Sequence, residues 1–193
     1  TFTNLKDHHE LYCFGHLIEG AVAYFQATGK DKLLKAAERF ADYVAANFGT
    51  EEGKLHGYPG HEIAEMALVR LYELTGKEKY LNLARYFVDE RGKRPYYFDQ
   101  EHPEEVKKGH EDELRYFYNQ AHLPVRKQDE AFGHSVRAVY LYSGMADVAR
   151  LTGDETLYGA CRRLWDNITE KKMYVTGGIG STPLGEAFTY AYD

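Results

Sequence analysis

The chain has 193 residues, of which 44% are hydrophobic and 28% are charged, as is usual for a globular domain of this length. Its formal net charge of −6 disfavours nucleic acid as a partner, because proteins that bind nucleic acid need a basic surface. An uninterrupted apolar run of about 18 residues and a basic amphipathic segment are both absent, which argues against membrane binding.

The first residues carry neither an initiator Met nor a hydrophobic signal region, so the sequence is expected to be an internal piece of a longer chain. This observation does not fix the cellular compartment. The cysteines Cys13 and Cys161 both fall on apolar helical patterns. They are predicted to be small core residues rather than a disulfide or metal ligands.

A repeated segment organises the chain. TGKDKLL at 28–34 recurs as TGKEKYL at 75–81 and as TGDETLY at 152–158. Each glycine follows an apolar pattern with helical spacing and is placed to end a helix, because glycine accepts the left-handed conformation. The acidic residue one or two positions later favours the start of the next helix. The repeat therefore predicts three helix–turn–helix hairpins.

Two segments interrupt this pattern. Extra residues between the second and third repeats fall in 92–132, which contains Pro95, Pro103 and Pro124 and predicts a long, partly helical insertion. After Tyr174 the chain becomes glycine-rich, VTGGIGSTP at 175–183, and predicts a loop. The predicted fold class is all-α, with the hairpins forming either an open solenoid or part of a closed (α/α)6 barrel.

Histidines open the first helix of each hairpin, at His9, His61 and His134. Equivalent helix ends would meet at one mouth of a barrel, so a polar cluster in a concave site is expected there. The alternative is that each histidine caps its own turn. His9 and His16 are seven positions apart rather than four, so no metal site is predicted from them. Glu186 would have a raised pKa if aromatic residues enclosed it, although a surface position is the default.

Four motifs carry a resemblance to a known family: DHHELY at 7–12, YNQAHLPVR at 118–126, GHSVRA at 133–138, and GGIGS followed by GEAF at 177–188. Together they resemble glycoside hydrolase family 127, the β-L-arabinofuranosidase family, and the resemblance runs through essentially the whole chain. It implies a six-hairpin (α/α)6-barrel catalytic domain. Residues 1–193 would then be a partial domain, truncated at both ends.

The resemblance also implies a retaining hydrolase that removes terminal β-L-arabinofuranosyl groups, with a glycoside or small oligosaccharide as substrate. Glu186 matches the general acid/base, and His9, His61 and His134 match histidines that bind the sugar ring; His8 and His16 compete with His9. The nucleophile would be a zinc-bound cysteine. Its zinc ligands, one Glu and three Cys, are expected beyond Asp193, so no metal ligand is expected within the chain. The 193 residues alone are then expected to be inactive and to self-associate through exposed helix faces.

Two other functions fit the hairpin pattern. A different barrel enzyme, such as a sugar epimerase or an unsaturated glucuronyl hydrolase, would place its acid and base elsewhere and would not need a zinc-bound cysteine. A peptide-binding solenoid would carry the same surface on every repeat. The insertion and the glycine-rich loop break that regularity, which favours an enzyme.

Overall fold

The computed structural model describes residues 1–107 and 114–193. Its helices within those ranges are α1 Glu10–Thr28, α2 Lys32–Asn47, α3 Ala64–Thr75, α4 Glu78–Glu90, α5 Tyr97–Glu101, α6 Pro103–Lys107, α7 Leu114–Tyr118, α8 Ser135–Thr152 and α9 Glu155–Lys171. Short 3-10 turns form at Val125–Lys127 and Leu184–Glu186. The described residues contain only isolated β-bridges and no strand. The predicted all-α class is confirmed.

The long helices form two layers. Helix α3 packs between α1 and α8, while α2, α4 and α9 each pack on the outer side of the preceding helix. This is the arrangement of adjacent hairpins in an (α/α) barrel, with α1, α3 and α8 as inner helices. The main core lies between the layers and includes Phe14, Ile18, Leu68, Phe87 and Met145. Because the inner helices are parallel, their N-termini lie at the same end of the molecule.

The predicted helix ends are confirmed at the repeat. Gly29, Gly76 and Gly153 follow α1, α3 and α8 with φ of 69°, 68° and 67°. Each glycine donates its N–H to a carbonyl in the last helical turn, which satisfies a group that the helix leaves free. The left-handed backbone turns the chain back, so the next helix packs antiparallel on the one before it.

The predicted insertion is partly helical, as expected, with α5, α6 and α7 inside it; its residues 108–113 lie outside the described part of the chain. The tail after Tyr174 is mostly loop, as expected, apart from the 3-10 turn at Leu184–Glu186. This tail returns to the start of α8, where Phe188 N donates to Gly133 O at 2.9 Å. The return brings Glu186 to the mouth formed by the inner helices.

The prediction that both cysteines are core residues is wrong for Cys13. Cys161 is half-buried, and burial raises the pKa of its thiol to about 11. Cys13 is exposed, on the same face of α1 as His16 and Gly20. The buried face of that helix carries Leu11, Phe14 and Ile18 instead. Neighbouring apolar residues therefore misled the sequence-based assignment. Across the described ranges, no helix is long and apolar enough to cross a membrane.

Candidate active site

The candidate site lies at the N-terminal ends of the inner helices. His9 and His134 are the residues directly before α1 and α8, and His61 lies three positions before α3. The ring centroids of His9 and His61 are 5.6 Å apart, and those of His61 and His134 are 5.4 Å apart. The hairpin repeat thus brings the three histidines into one cluster, in the order of the hairpins.

His61 is a neutral imidazole with a defined hydrogen-bonding state. Its Nδ1 lies 3.0 Å from the Glu62 carbonyl oxygen, which only accepts, so Nδ1 carries the proton and Nε2 is an acceptor. Burial is the main cause that lowers the pKa of His61 to about 4, and the positive charge of Arg137 contributes to this shift. The side chain is therefore uncharged at neutral pH and offers a ring nitrogen to a donor such as a sugar hydroxyl.

His134 links the start of α8 to Glu186. Its Nδ1 accepts a hydrogen bond from the Arg137 backbone N–H at 3.3 Å, which caps the helix. The proton of the neutral ring must then sit on Nε2, which lies 3.0 Å from Glu186 Oε2. Burial and the Arg137 charge lower the pKa of His134, while Glu186 opposes that shift. The imidazole consequently acts as a hydrogen-bond donor to the carboxylate.

The backbone around Glu186 is held in an unusual conformation. Gly185 and Glu186 both have positive φ, 71° and 48°, within the 3-10 turn. A non-glycine residue in this region is uncommon and is associated with functional sites. Ser135 Oγ donates to the Glu186 carbonyl at 2.9 Å and fixes the turn against α8. The Glu186 side chain is 75% exposed, so the enclosure that a general acid needs is not supplied by the described residues.

Aromatic side chains extend the site along the inner helices. Tyr12 lies 4.3 Å from the His61 ring and 4.5 Å from the His16 ring, and His16 faces Tyr140 at 6.0 Å. Tyr118 contacts the other end of the cluster, 5.7 Å from His134. These tyrosines are not among the site residues predicted from the sequence. The available signal was spacing, because residues three and seven positions after His9 share its face of α1.

The competing histidines separate in the structure. His16 belongs to the aromatic part of the site through Tyr12 and Tyr140. His8 is exposed, and its backbone N–H donates to the Asn4 carbonyl at 3.1 Å. His9 is also exposed, but its ring is directed at His61 and its Nδ1 lies 3.1 Å from the Asp7 carbonyl. The geometry therefore favours His9 over His8 as the member of the cluster.

A buried charged group adjoins the His61 segment. Glu62, Glu65 and Arg91 are all fully buried, and Arg91 Nη1 and Nη2 lie 2.9 Å and 3.4 Å from carboxylate oxygens of Glu62 and Glu65. Arg91 also donates to the Asn119 and Pro59 carbonyls at 2.8 Å and 2.6 Å. Burial raises the pKa of Glu62 to about 8, against the lowering effect of Arg91. This group ties the segment before α3 to the end of α4.

The described residues do not form a metal site. Across residues 1–107 and 114–193, no three His, Cys, Asp or Glu side chains are grouped to hold a metal ion. The thiols of Cys13 and Cys161 are on different hairpins and take no part in the cluster. The donor set that zinc prefers in catalytic sites, which includes three protein ligands, is not assembled by these residues.

Comparison with known proteins places this arrangement in a family. The model of the β-L-arabinofuranosidase GH127 catalytic domain matches residues 1–193. The chain is 46% identical to the non-reducing end β-L-arabinofuranosidase of Bifidobacterium longum subsp. longum, over 100% of its own length and 30% of that protein.

Solved structures agree with this match. The crystal structure of a GH127 β-L-arabinofuranosidase from Geobacillus stearothermophilus T6 is 51% identical, with a TM-score of 0.93 over 100% of this chain and 30% of that one. A GH127 β-arabinofuranosidase structure is 48% identical, with a TM-score of 0.85 over 98% of this chain and 27% of that one. The chain thus spans less than a third of these relatives. It belongs to the catalytic-domain family of the GH127 β-L-arabinofuranosidases.

Proposed function

We propose that these 193 residues form the sugar-binding and acid/base part of a retaining hydrolase that removes terminal β-L-arabinofuranosyl residues. The observation that carries the proposal is the contact between His134 Nε2 and Glu186 Oε2, 3.0 Å, beside His61 and His9 at one mouth of the fold. The activities of the relatives support the choice of sugar and anomer. The epimerase, glucuronyl hydrolase and solenoid alternatives have no comparable support.

In this proposal Glu186 is the general acid/base. It protonates the leaving oxygen in the first step and, as a carboxylate, activates water in the second. The Nε2–H group of His134 donates to the carboxylate and holds it in place. A bound sugar would displace water from the exposed carboxyl group and supply the enclosure that the described residues do not provide.

The histidines bind the sugar as neutral groups. A furanose ring is uncharged and offers hydroxyls, and the Nε2 of His61 is an acceptor on a ring within the cluster. An imidazolium at this position would offer only donors. The low pKa of His61, about 4, keeps the acceptor available at neutral pH.

The nucleophile is not among the described residues. The resemblance calls for a zinc-bound cysteine thiolate, which would attack the anomeric carbon. Neither Cys13 nor Cys161 lies in the cluster, and no metal site is formed by the part of the chain described. Following the resemblance, we propose that the thiolate and its zinc ligands lie outside these 193 residues, and we expect the 193 residues alone to be inactive.

The test uses the full-length protein and a pair of aryl L-arabinofuranosides that differ only at the anomeric carbon. We expect hydrolysis of the β anomer and not of the α anomer. The variant His61→Phe should raise KM for the β substrate, because the ring acceptor is lost while the aromatic packing remains. His8→Phe is the matched control and should leave KM unchanged. No hydrolysis of the β substrate by the wild type would overturn the proposal in favour of another sugar or an epimerase-type reaction.

A further inference from the structure

Arg137 is a buried cation beside the histidine cluster. It lies in the first turns of α8, is almost fully buried, and has no carboxylate within ion-pair distance among the described residues. Its Nη1 donates to the Gly60 carbonyl at 3.0 Å, while its Nε is buried without a hydrogen-bond partner in the same part of the chain. A buried charge without an ionic partner is costly, so packing alone is a poor account of this residue.

The contacts of Arg137 reach both sides of the cluster. Gly60 directly precedes His61, and its carbonyl also accepts from Asn119 Nδ2 at 2.9 Å, so two donors fix it. The Gly60 position is tightly packed, since an added Cβ would lie 2.2 Å from the Leu5 carbonyl oxygen. On the other side, the Arg137 guanidinium carbon lies 4.7 Å from the centroid of the Tyr118 ring, whose edge faces His134.

We infer that Arg137 is a positioning residue for the sugar-binding histidines: its guanidinium holds the His61 segment in register with His134 and brings its positive charge beside both imidazoles. This inference rests on the proposed function. Arg137 acts through Gly60 and Tyr118 and through its charge, without touching the reacting atoms.

The electrostatics agree with the geometry. Burial is the main cause of the low pKa of His61 and His134, and the Arg137 charge lowers the pKa of both. Glu186, which reaches His134 from the tail, opposes this shift and raises the pKa of His134. Among the described residues, the other titratable groups near the pair are His9, directly before α1, and the phenols Tyr12, Tyr118 and Tyr140. Glu62 acts on His61 through its backbone carbonyl, and the Arg137 charge lowers the pKa of the Glu62 carboxyl group.

The test compares two variants of the full-length protein. Arg137→Met removes the charge and the hydrogen bond, while Arg137→Lys keeps the charge and loses the planar fork. We expect both variants to raise KM for the aryl β-L-arabinofuranoside roughly tenfold, because neither side chain reproduces the contacts of the planar guanidinium with the Gly60 carbonyl and the Tyr118 ring. The acidic limb of the kcat/KM profile should move to higher pH by about one unit in Arg137→Met only. Arg163→Met is the control, because Arg163 also donates to a backbone carbonyl, that of Arg126, on α9 away from the site.

A second readout does not depend on the reaction. Histidine labelled with carbon-13 reports imidazole titration by NMR, and the His61 resonance should titrate at higher pH in Arg137→Met than in the wild type and Arg163→Met. An unmoved His61 titration would overturn the inference even if KM rose. If Arg137→Met does not fold, Arg137→Lys decides: a raised KM with an unmoved acidic limb supports the inference, and an unchanged KM overturns it. If the wild type lacks the activity but Arg137→Met still shifts the His61 titration, only the proposed function is refuted.

Discussion

His134 Nε2 lies 3.0 Å from Glu186 Oε2, while Nδ1 of the same ring caps α8 by accepting the Arg137 N–H. The helix cap therefore decides which ring nitrogen carries the proton, and so makes the imidazole a donor to the carboxylate. The candidate acid/base is tied in this way to the backbone of an inner helix. The local fold, rather than a dedicated side-chain network, sets the chemistry of this pair.

The variant Gly133→Ala should disturb this pair through the backbone. Gly133 has a φ of +71°, and an added Cβ would lie 2.1 Å from the Phe117 carbonyl oxygen. We expect a loss of about 1–3 kcal/mol in the free energy of unfolding of the 193-residue chain, measured in urea. Gly20→Ala is the control: it is helical with no atom within 4 Å of the new Cβ, and should gain about 0.5–1 kcal/mol. An equal free energy of unfolding for Gly133→Ala and the wild type would contradict this prediction.

His122 should make the chain less stable in acid. Its ring stacks on Phe117 with centroids 4.2 Å apart, and burial lowers its pKa from 6.5 to about 4, against an opposing effect of Asp129. Between those two values the unfolded state binds a proton that the folded state does not. The stability contributed by the neutral ring is therefore complete above pH 6.5 and is lost as the pH falls towards 4. The pKa of His61 is also lowered, to about 4, so His61 likewise makes the free energy of unfolding fall as the pH falls.

The measurement is urea unfolding of the 193-residue chain at several pH values. His122→Phe keeps an aromatic ring in the stack and removes the titrating group, so it should lose less stability on acidification than the wild type. Phe132→Leu alters the packing around the same ring without removing the imidazole, and should keep the wild-type slope. Identical slopes for His122→Phe and wild type would contradict this assignment.

The 193-residue chain should self-associate through the groove that its last hairpin forms with the tail. Trp165 is 68% exposed on α9, and with Tyr158 it lines a groove of about 770 Å³ between α8, α9 and the tail. Exposed apolar surface of this kind favours association. We expect sedimentation velocity to show concentration-dependent oligomers, and the double change Tyr158→Gln with Trp165→Gln to reduce them. Tyr24→Gln, on α1, is the control. A monodisperse wild-type monomer that binds no apolar dye would refute this prediction.

Much of the fold follows from local sequence signals. The glycines Gly29, Gly76 and Gly153 mark helix ends because only their backbone accepts the left-handed turn at little cost, and that requirement is visible in a repeat. The cluster of His9, His61 and His134 follows from the same repeat, because equivalent helix ends meet.

Other features depend on contacts between distant parts of the chain. The burial of Arg91 between Glu62 and Glu65 joins α4 to the segment before α3, and no spacing in the sequence indicates it. The exposure of Cys13 depends on which face of α1 meets α3, which its apolar neighbours do not reveal. The role of Glu186 came from resemblance, since a single glutamate in a loop carries no signal of its own.

The measurement that most directly tests the central claim compares Glu186→Gln with the wild type, in the full-length protein, on two β-L-arabinofuranosides with different leaving groups. Protonation of the leaving oxygen by a general acid matters little when the leaving group is an acidic phenol and much when it is an alcohol. We predict a loss of roughly 10²–10⁴ in kcat/KM on the alkyl glycoside, a much smaller loss on the activated aryl glycoside in the first step, and unchanged zinc content. Equal losses on both substrates, or none, would contradict the assignment of Glu186 as the general acid/base.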